Sequence, residues 1–188
     1  FHDVTLDRVS NKQGKLWDYT WDELKNIEIY GNCTTGFYDR IVTLREFLER
    51  FSQYDINFVI ELKGADVEEE ALEMVKTFGI VNKTTFTSFN LQYIEKVKQL
   101  DKTARIGWLV SSISDEIIEY LLEIGGEEIA PKAELLSVEL MEKCRKAGLG
   151  VRAWGVSNVA LMKKMCGLCV DGMTVNFPDR LQEYLNTL

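Results

Sequence analysis

The 188 residues contain one histidine, two prolines and 13 glycines. So little glycine and proline excludes a collagen-like or flexible-linker chain. No apolar run approaches the roughly 18 residues of a membrane-spanning helix, so no transmembrane segment is expected. The opening residues do not read as a secretory leader. Basic clusters are missing too: 22 Lys and Arg stand against 30 acidic residues, a net charge of −8. Nucleic acid is held by clustered Lys and Arg, so no nucleic-acid partner is expected. A phosphate-bearing ligand would need positive charge from elsewhere, and a divalent metal is the usual source. Four cysteines, Cys33, Cys144, Cys166 and Cys169, are too few for a disulfide scaffold in a chain of this length. They point to a reducing, cytoplasmic setting. Neither Gly-x-Gly-x-x-Gly nor Gly-x-x-x-x-Gly-Lys occurs, which weighs against the nucleotide-binding α/β folds.

What is present suits a packed soluble domain: 46% apolar, 28% charged and 11% aromatic residues. Residues 1–5 read as the end of a strand. Residues 6–40 read as a loop and short-helix insertion. Within it Thr20-Trp21-Asp22-Glu23 has the capping-box pattern, and 30–40 reads as loop. Thr43-Leu44-Arg45-Glu46 is a second capping box, opening a helix to about Phe51. A rhythm then sets in. Strands are expected at 56–60, 84–87, 105–110, 128–130, 149–156 and 170–175. Helices are expected at 67–78 (ended by Gly79), 91–100, after Ser114, after Ser137, at 159–166 and at 178–186. Such alternation implies a parallel sheet covered by helices, either doubly wound or a (β/α) barrel. A full barrel takes about 250 residues. The shortfall is worth roughly two β/α units. With Phe1 in place of an initiating methionine, it leads to the expectation that the first one or two units precede these residues.

The candidate chemical residues are few. His2, followed by Asp3, could exchange protons at neutral pH, or could be a surface or capping histidine. Glu61 and Lys63 follow the apolar run 56–60, and alternation points both to one side of the strand. At the carboxyl end of a barrel strand they could bind a cation and a phosphate oxygen, or simply pair with each other. Trp154 ends another strand as a pocket wall or a core residue. Ser88-Phe89-Asn90 ends the strand at 84–87 and could equally cap a helix. Cys166-Gly167-Leu168-Cys169 has no second pair to complete a zinc site, and it falls at a helix C-terminus where redox motifs do not sit. It reads as structural.

Taken together, these motifs resemble those of glycerophosphodiester phosphodiesterases. His2-Asp3-Val4-Thr5-Leu6-Asp7-Arg8 resembles the family's His-Asp-x-Thr-Leu-x-Arg signature. Gly14-Lys15, Asp18-Tyr19-Thr20 and Glu23-Leu24-Lys25 continue the match. Thr43-Leu44-x-Glu46 resembles its Pro-Thr-Leu-x-Glu, with Val42 where proline is usual. Ile60-Glu61-Leu62-Lys63 resembles its Glu-Ile-Lys strand. Ser88-Phe89-Asn90, Trp154-Gly155-Val156-x-Asn158 and Val170-Asp171-Gly172-Met173-x-x-Asn176-x-Pro178-Asp179 complete the series. Order and spacing fit from Phe1 to the C-terminus.

The resemblance implies a (β/α)8 TIM barrel, with residues 1–188 forming a single partial domain. It implies hydrolysis of small glycerophosphodiesters such as glycerophosphocholine to sn-glycerol 3-phosphate and an alcohol, assisted by Ca2+ or Mg2+. By position, His2 matches a catalytic histidine, Glu61 a metal ligand and Lys63 the phosphate-side lysine. Trp154 and Phe89 match substrate-binding aromatics. The family's His-Arg-Gly motif and its Glu-x-Asp metal pair have no counterpart here. One glutamate is a poor site for a cation that prefers six or more oxygens, so residues 1–188 alone are expected to be inactive. Two other readings are carried. One is a lysophospholipase D-type enzyme, with an apolar rim at 30–40 carrying Tyr30, Phe37 and Tyr38. The other is an inactive remnant that binds a phosphorylated ligand or a partner.

Overall fold

The computed structural model describes residues 1–30 and 38–188. The chain forms two compact units, Phe1–Tyr54 and Asp55–Leu188.

The first unit is small and irregular. The strand expected at residues 1–5 is absent; only a single bridge joins Thr5 to Lys15. Helix α1 spans Trp21–Leu24. Its capping box forms as the sequence indicates, with the Thr20 N–H donating to Glu23 Oε2 at 2.8 Å. Strands β1 (Glu28–Tyr30) and β2 (Tyr38–Arg40) pair antiparallel, Tyr30 opposite Tyr38. The reading of 30–40 as plain loop is therefore corrected at both ends, because cross-strand pairing supplied an order that local composition did not signal. Phe37 and Cys33 lie outside the described residues. Helix α2 spans Leu44–Phe51 behind the second box, in which the Thr43 N–H donates to Glu46 Oε2 at 2.8 Å. Leu6, Leu24 and Ile27 form a small core with Leu16, Tyr19, Ile29 and Ile41 packed against it.

The second unit carries the rhythm. Strand β3 (Phe58–Glu61) is followed by α3 (Glu68–Thr77), β4 (Thr84–Ser88), α4 (Leu91–Leu100) and β5 (Arg105–Val110). Then come α5 (Asp115–Glu123), β6 (Glu128–Pro131), α6 (Val138–Lys146), β7 (Gly150–Val156), α7 (Val159–Gly167), β8 (Gly172–Val175) and α8 (Pro178–Leu185). The six strands β3 to β8 lie in chain order in one parallel sheet. Each expected strand and helix is present, with ends shifted by one or two residues, as fraying termini usually allow. Asn90, Ser114, Ser137 and Asn158 cap four of the helices by accepting from Gln92, Ile117, Leu140 and Leu161. Gly79, at φ +68°, ends α3 where an L side chain would be strained.

Alternation divides the sheet into two faces. One face carries Ile60, Phe86, Ile106, Ile129, Val151 and Ala153 in neighbouring register. The Ile129, Val151 and Ala153 side packs on Ile118, Leu121, Met141, Cys144, Met162 and Met165 from the helices. Phe86 is fully buried, worth about 1.5–3 kcal/mol relative to exposure. The opposite face carries Glu61, Thr87, Gly107, Glu128, Arg152 and Trp154. At its amino end the Arg152 Nε–H donates to the buried Glu128 at 3.0 Å. Gly107 and Gly172 make room for this pair; a Cβ at Gly172 would stand 2.4 Å from Arg152 Nη1. The sheet is curled, a half-barrel with β3 and β8 as its edge strands. No helix among the described residues is long and apolar enough to cross a membrane.

Candidate active site

The carboxyl end of the curled sheet gathers the candidate residues of the second unit. Glu61 is the last residue of β3 and Lys63 stands two further on, their Oε2 and Nζ 3.4 Å apart. What aims them is the residue between. The Leu62 side chain is buried, its N–H donates to the Thr87 carbonyl at 2.8 Å, and its carbonyl accepts from Ser88 Oγ at 2.7 Å. With Leu62 tied on both sides, its neighbours face the open side of the sheet together. Both side chains stay about one-third exposed, so they can reach a ligand.

Ser88 Oγ also accepts from the Asn90 N–H at 3.0 Å. Asn90 caps α4 through Oδ1, which accepts from Gln92. Both expected readings of Ser88-Phe89-Asn90 therefore hold at once. The two polar residues make the strand-to-helix corner, and Phe89 is turned outward between them. Its ring meets Trp154 of β7 edge-on, centroids 5.2 Å apart and planes at 83°. Three strand spacings separate β4 from β7, about 14 Å along a flat sheet, so this contact depends on the curl. The Trp154 Nε1–H donates to the Val110 carbonyl at the end of β5, 3.2 Å away. That bond fixes the orientation of the indole. Gly155, at φ +71°, follows it at a register shift in the β7–β8 pairing. Asn158, noted in the sequence beside Trp154, serves as the α7 cap.

Sequence reasoning missed Lys132. It follows β6, bridges to Trp154 in register, and pairs with Glu134 at 2.6 Å. No motif marked it; only the continued alternation of β6 past Pro131 could have done so.

In the first unit His2 is 81% exposed, and its Nδ1 lies 2.7 Å from Asp3 Oδ1. Asp3 also accepts from Arg8 Nε at 2.6 Å and Nη2 at 3.0 Å. The Arg8 guanidinium first, then His2, holds the Asp3 carboxyl well below the ordinary carboxylate range. An ionised Asp3 can only accept, so the proton of this contact sits on Nδ1. The His-Asp-x-Thr-Leu-x-Arg motif is thus a local device in which residues one, two and seven lock one another.

The divalent metal finds no ready cradle. Among the described residues no three His, Cys, Asp or Glu side chains converge to hold an ion. Glu61 alone offers at most two oxygens, where Ca2+ takes six to eight. Cys166 lies in the last turn of α7 and Cys169 just beyond its end, both as thiols.

Comparison with known proteins agrees with this fold. The chain is 28% identical over 188 residues to a glycerophosphodiester phosphodiesterase of Caldanaerobacter subterraneus subsp. tengcongensis, covering 96% of this chain and 76% of the relative. Among solved structures it matches a phosphodiesterase of Oleispira antarctica in complex with the product sn-glycerol-3-phosphate. There the TM-score is 0.82 at 22% identity, over 99% of this chain and 78% of the other. It also matches a glycerophosphodiester phosphodiesterase of Parabacteroides distasonis, with a TM-score of 0.79 at 24% identity, over 100% and 77%. The model of the glycerophosphoryl diester phosphodiesterase family matches residues 1–180, from the locked His2 motif to the start of α8. Sheet order, motif geometry and that match over nearly the whole length make this chain a member of the glycerophosphoryl diester phosphodiesterase family.

Proposed function

We propose that the protein hydrolyses small glycerophosphodiesters, such as glycerophosphocholine, to sn-glycerol 3-phosphate and an alcohol. The observation that carries this reading is the Glu61–Lys63 pair, held by the tied Leu62 backbone at the carboxyl end of β3. Barrel enzymes keep their active sites at that end.

In the proposed reaction, water attacks phosphorus and passes one proton to bulk solvent, and the bond from phosphorus to the alcohol oxygen breaks. Lys63 donates to a non-bridging oxygen, where negative charge builds up. Phe89 and Trp154 form an apolar wall against the substrate carbons. The departing alkoxide needs a proton. His2, which matches the family's catalytic histidine and is held through Nδ1 to Asp3, is the proposed donor. Glu61 is proposed as one ligand of a Ca2+ or Mg2+ ion. Since the described residues do not complete such a site, no step is derived through the ion. The same shortage supports a second proposal: residues 1–188 alone bind a glycerophosphate but do not turn a diester over.

The fold reading extends in the same way. Two further β/α units would close the six-stranded half-barrel into a (β/α)8 barrel. Because the family match spans both compact units, we read 1–188 as one partial domain with 6–40 as an insertion. A cytoplasmic setting fits the described cysteines, which are all thiols.

The test is release of sn-glycerol 3-phosphate from glycerophosphocholine by the protein as its host makes it. Release should stop on chelation and in His2→Ala. Full activity in His2→Ala would overturn the assignment.

A further inference from the structure

One charged pair at the carboxyl edge of the sheet has no role in the reaction above. Lys132 stands next to Trp154 on the open face, through the parallel bridge that continues the β6–β7 register. Its stem lies over Gly155: a Cβ there would be 3.7 Å from Lys132 Cγ and 3.9 Å from Cε. Its ammonium ends 2.6 Å from Glu134 Oε2. Both side chains are about half exposed, and so open to a ligand.

A paired lysine and glutamate beside an indole favours one kind of ligand group. A cationic group drawn to Glu134 is repelled by Lys132, and an anionic group meets the reverse. A neutral vicinal diol satisfies both, since one hydroxyl donates to the carboxylate while the other accepts from the ammonium. The carbons between them can then lie against Trp154. Resting on the function proposed above, we propose that Lys132 and Glu134 read the unesterified 1,2-diol of the glycerol moiety. They would be specificity-determining residues, selecting glycerophosphodiesters over phosphodiesters whose glycerol is acylated or replaced by a simple alkyl group. Each lost hydrogen bond to a charged partner should cost about tenfold in affinity.

The test is a calorimetric titration of the full chain, with and without Ca2+, using sn-glycerol 3-phosphate and ethyl phosphate as probes. Ethyl phosphate keeps the phosphate and lacks the diol. The wild type should bind sn-glycerol 3-phosphate at least about tenfold more tightly. Lys132→Met and Glu134→Gln should each erase most of that preference while leaving ethyl phosphate affinity and thermal midpoint unchanged. If both probes bind and the variants keep the preference, the diol reading falls and the phosphate site stands. A variant that weakens both probes equally also overturns it, because the pair would then act on the whole pocket. If neither probe binds under either condition, the function proposed above fails and this inference with it.

Discussion

The rings of Phe89 and Trp154 stand nearly perpendicular with centroids 5.2 Å apart, one borne by the corner after β4 and the other by β7. Two strands lie between them in the sheet. The contact is therefore a local gauge of the curl that makes a mouth out of an edge. Phe89→Ala should cost about 1 kcal/mol of stability, the usual worth of an aromatic pair, and should weaken sn-glycerol 3-phosphate binding. Trp154→Phe keeps most of the pair and loses the bond to the Val110 carbonyl, about 1 kcal/mol. Denaturant unfolding with a phosphate titration separates the two effects.

At the other end of the sheet the buried Glu128 depends on Arg152. Arg152→Ala would leave a buried carboxylate without its partner, and should destabilise the fold by about 3 kcal/mol. Pairing it with Glu128→Gln should recover part of that loss. Urea midpoints of the single and double variants check this. A single variant as stable as the wild type would mean that the pair is not coupled.

The alternation of strand and helix after residue 55 was legible because each element states its own case. Ile56 to Ile60 is an apolar run broken only by Asn57; Asn90 and Ser114 are caps, and Gly79 is a stop. The β1–β2 pairing was not legible, since a three-residue strand has too little sequence to show a period and depends on its partner. Among the site residues, Glu61 and Lys63 could be placed by alternation alone. The clamp that aims them could not, because it runs from Ser88 Oγ to Leu62 over 26 residues. Lys132 was invisible for a similar reason: its neighbour Trp154 is a partner in register and not in sequence.

The second capping box should also respond to acid. The Arg40 guanidinium first, and then the Thr43 N–H, pull the Glu46 carboxyl down to about 2 from its ordinary 4.5. A carboxyl depressed in the folded state adds stability that is fully present above its unfolded value. That stability is lost as pH falls through the folded value. The loss should therefore fall between pH 4.5 and about 2. Glu46→Gln should be less stable than the wild type at pH 6, and the difference should close by pH 2. Thermal melts across that range test it, and a gap of constant size would contradict the linkage.

Lys63→Ala should barely change stability, since a solvent-reachable ion pair is worth about 0–1 kcal/mol. Its effect on ligand should be large, because no other lysine extends from the end of β3. The most direct measurement is an NMR titration of residues 1–188 with sn-glycerol 3-phosphate, following the backbone amides of Glu61 to Lys63 and the Trp154 indole N–H. Saturable shifts are expected at both places in the wild type, and at least about tenfold weaker binding in Lys63→Ala. Absence of shifts at these residues, or shifts that Lys63→Ala leaves unchanged, would contradict the placing of the phosphate site at the carboxyl end of β3.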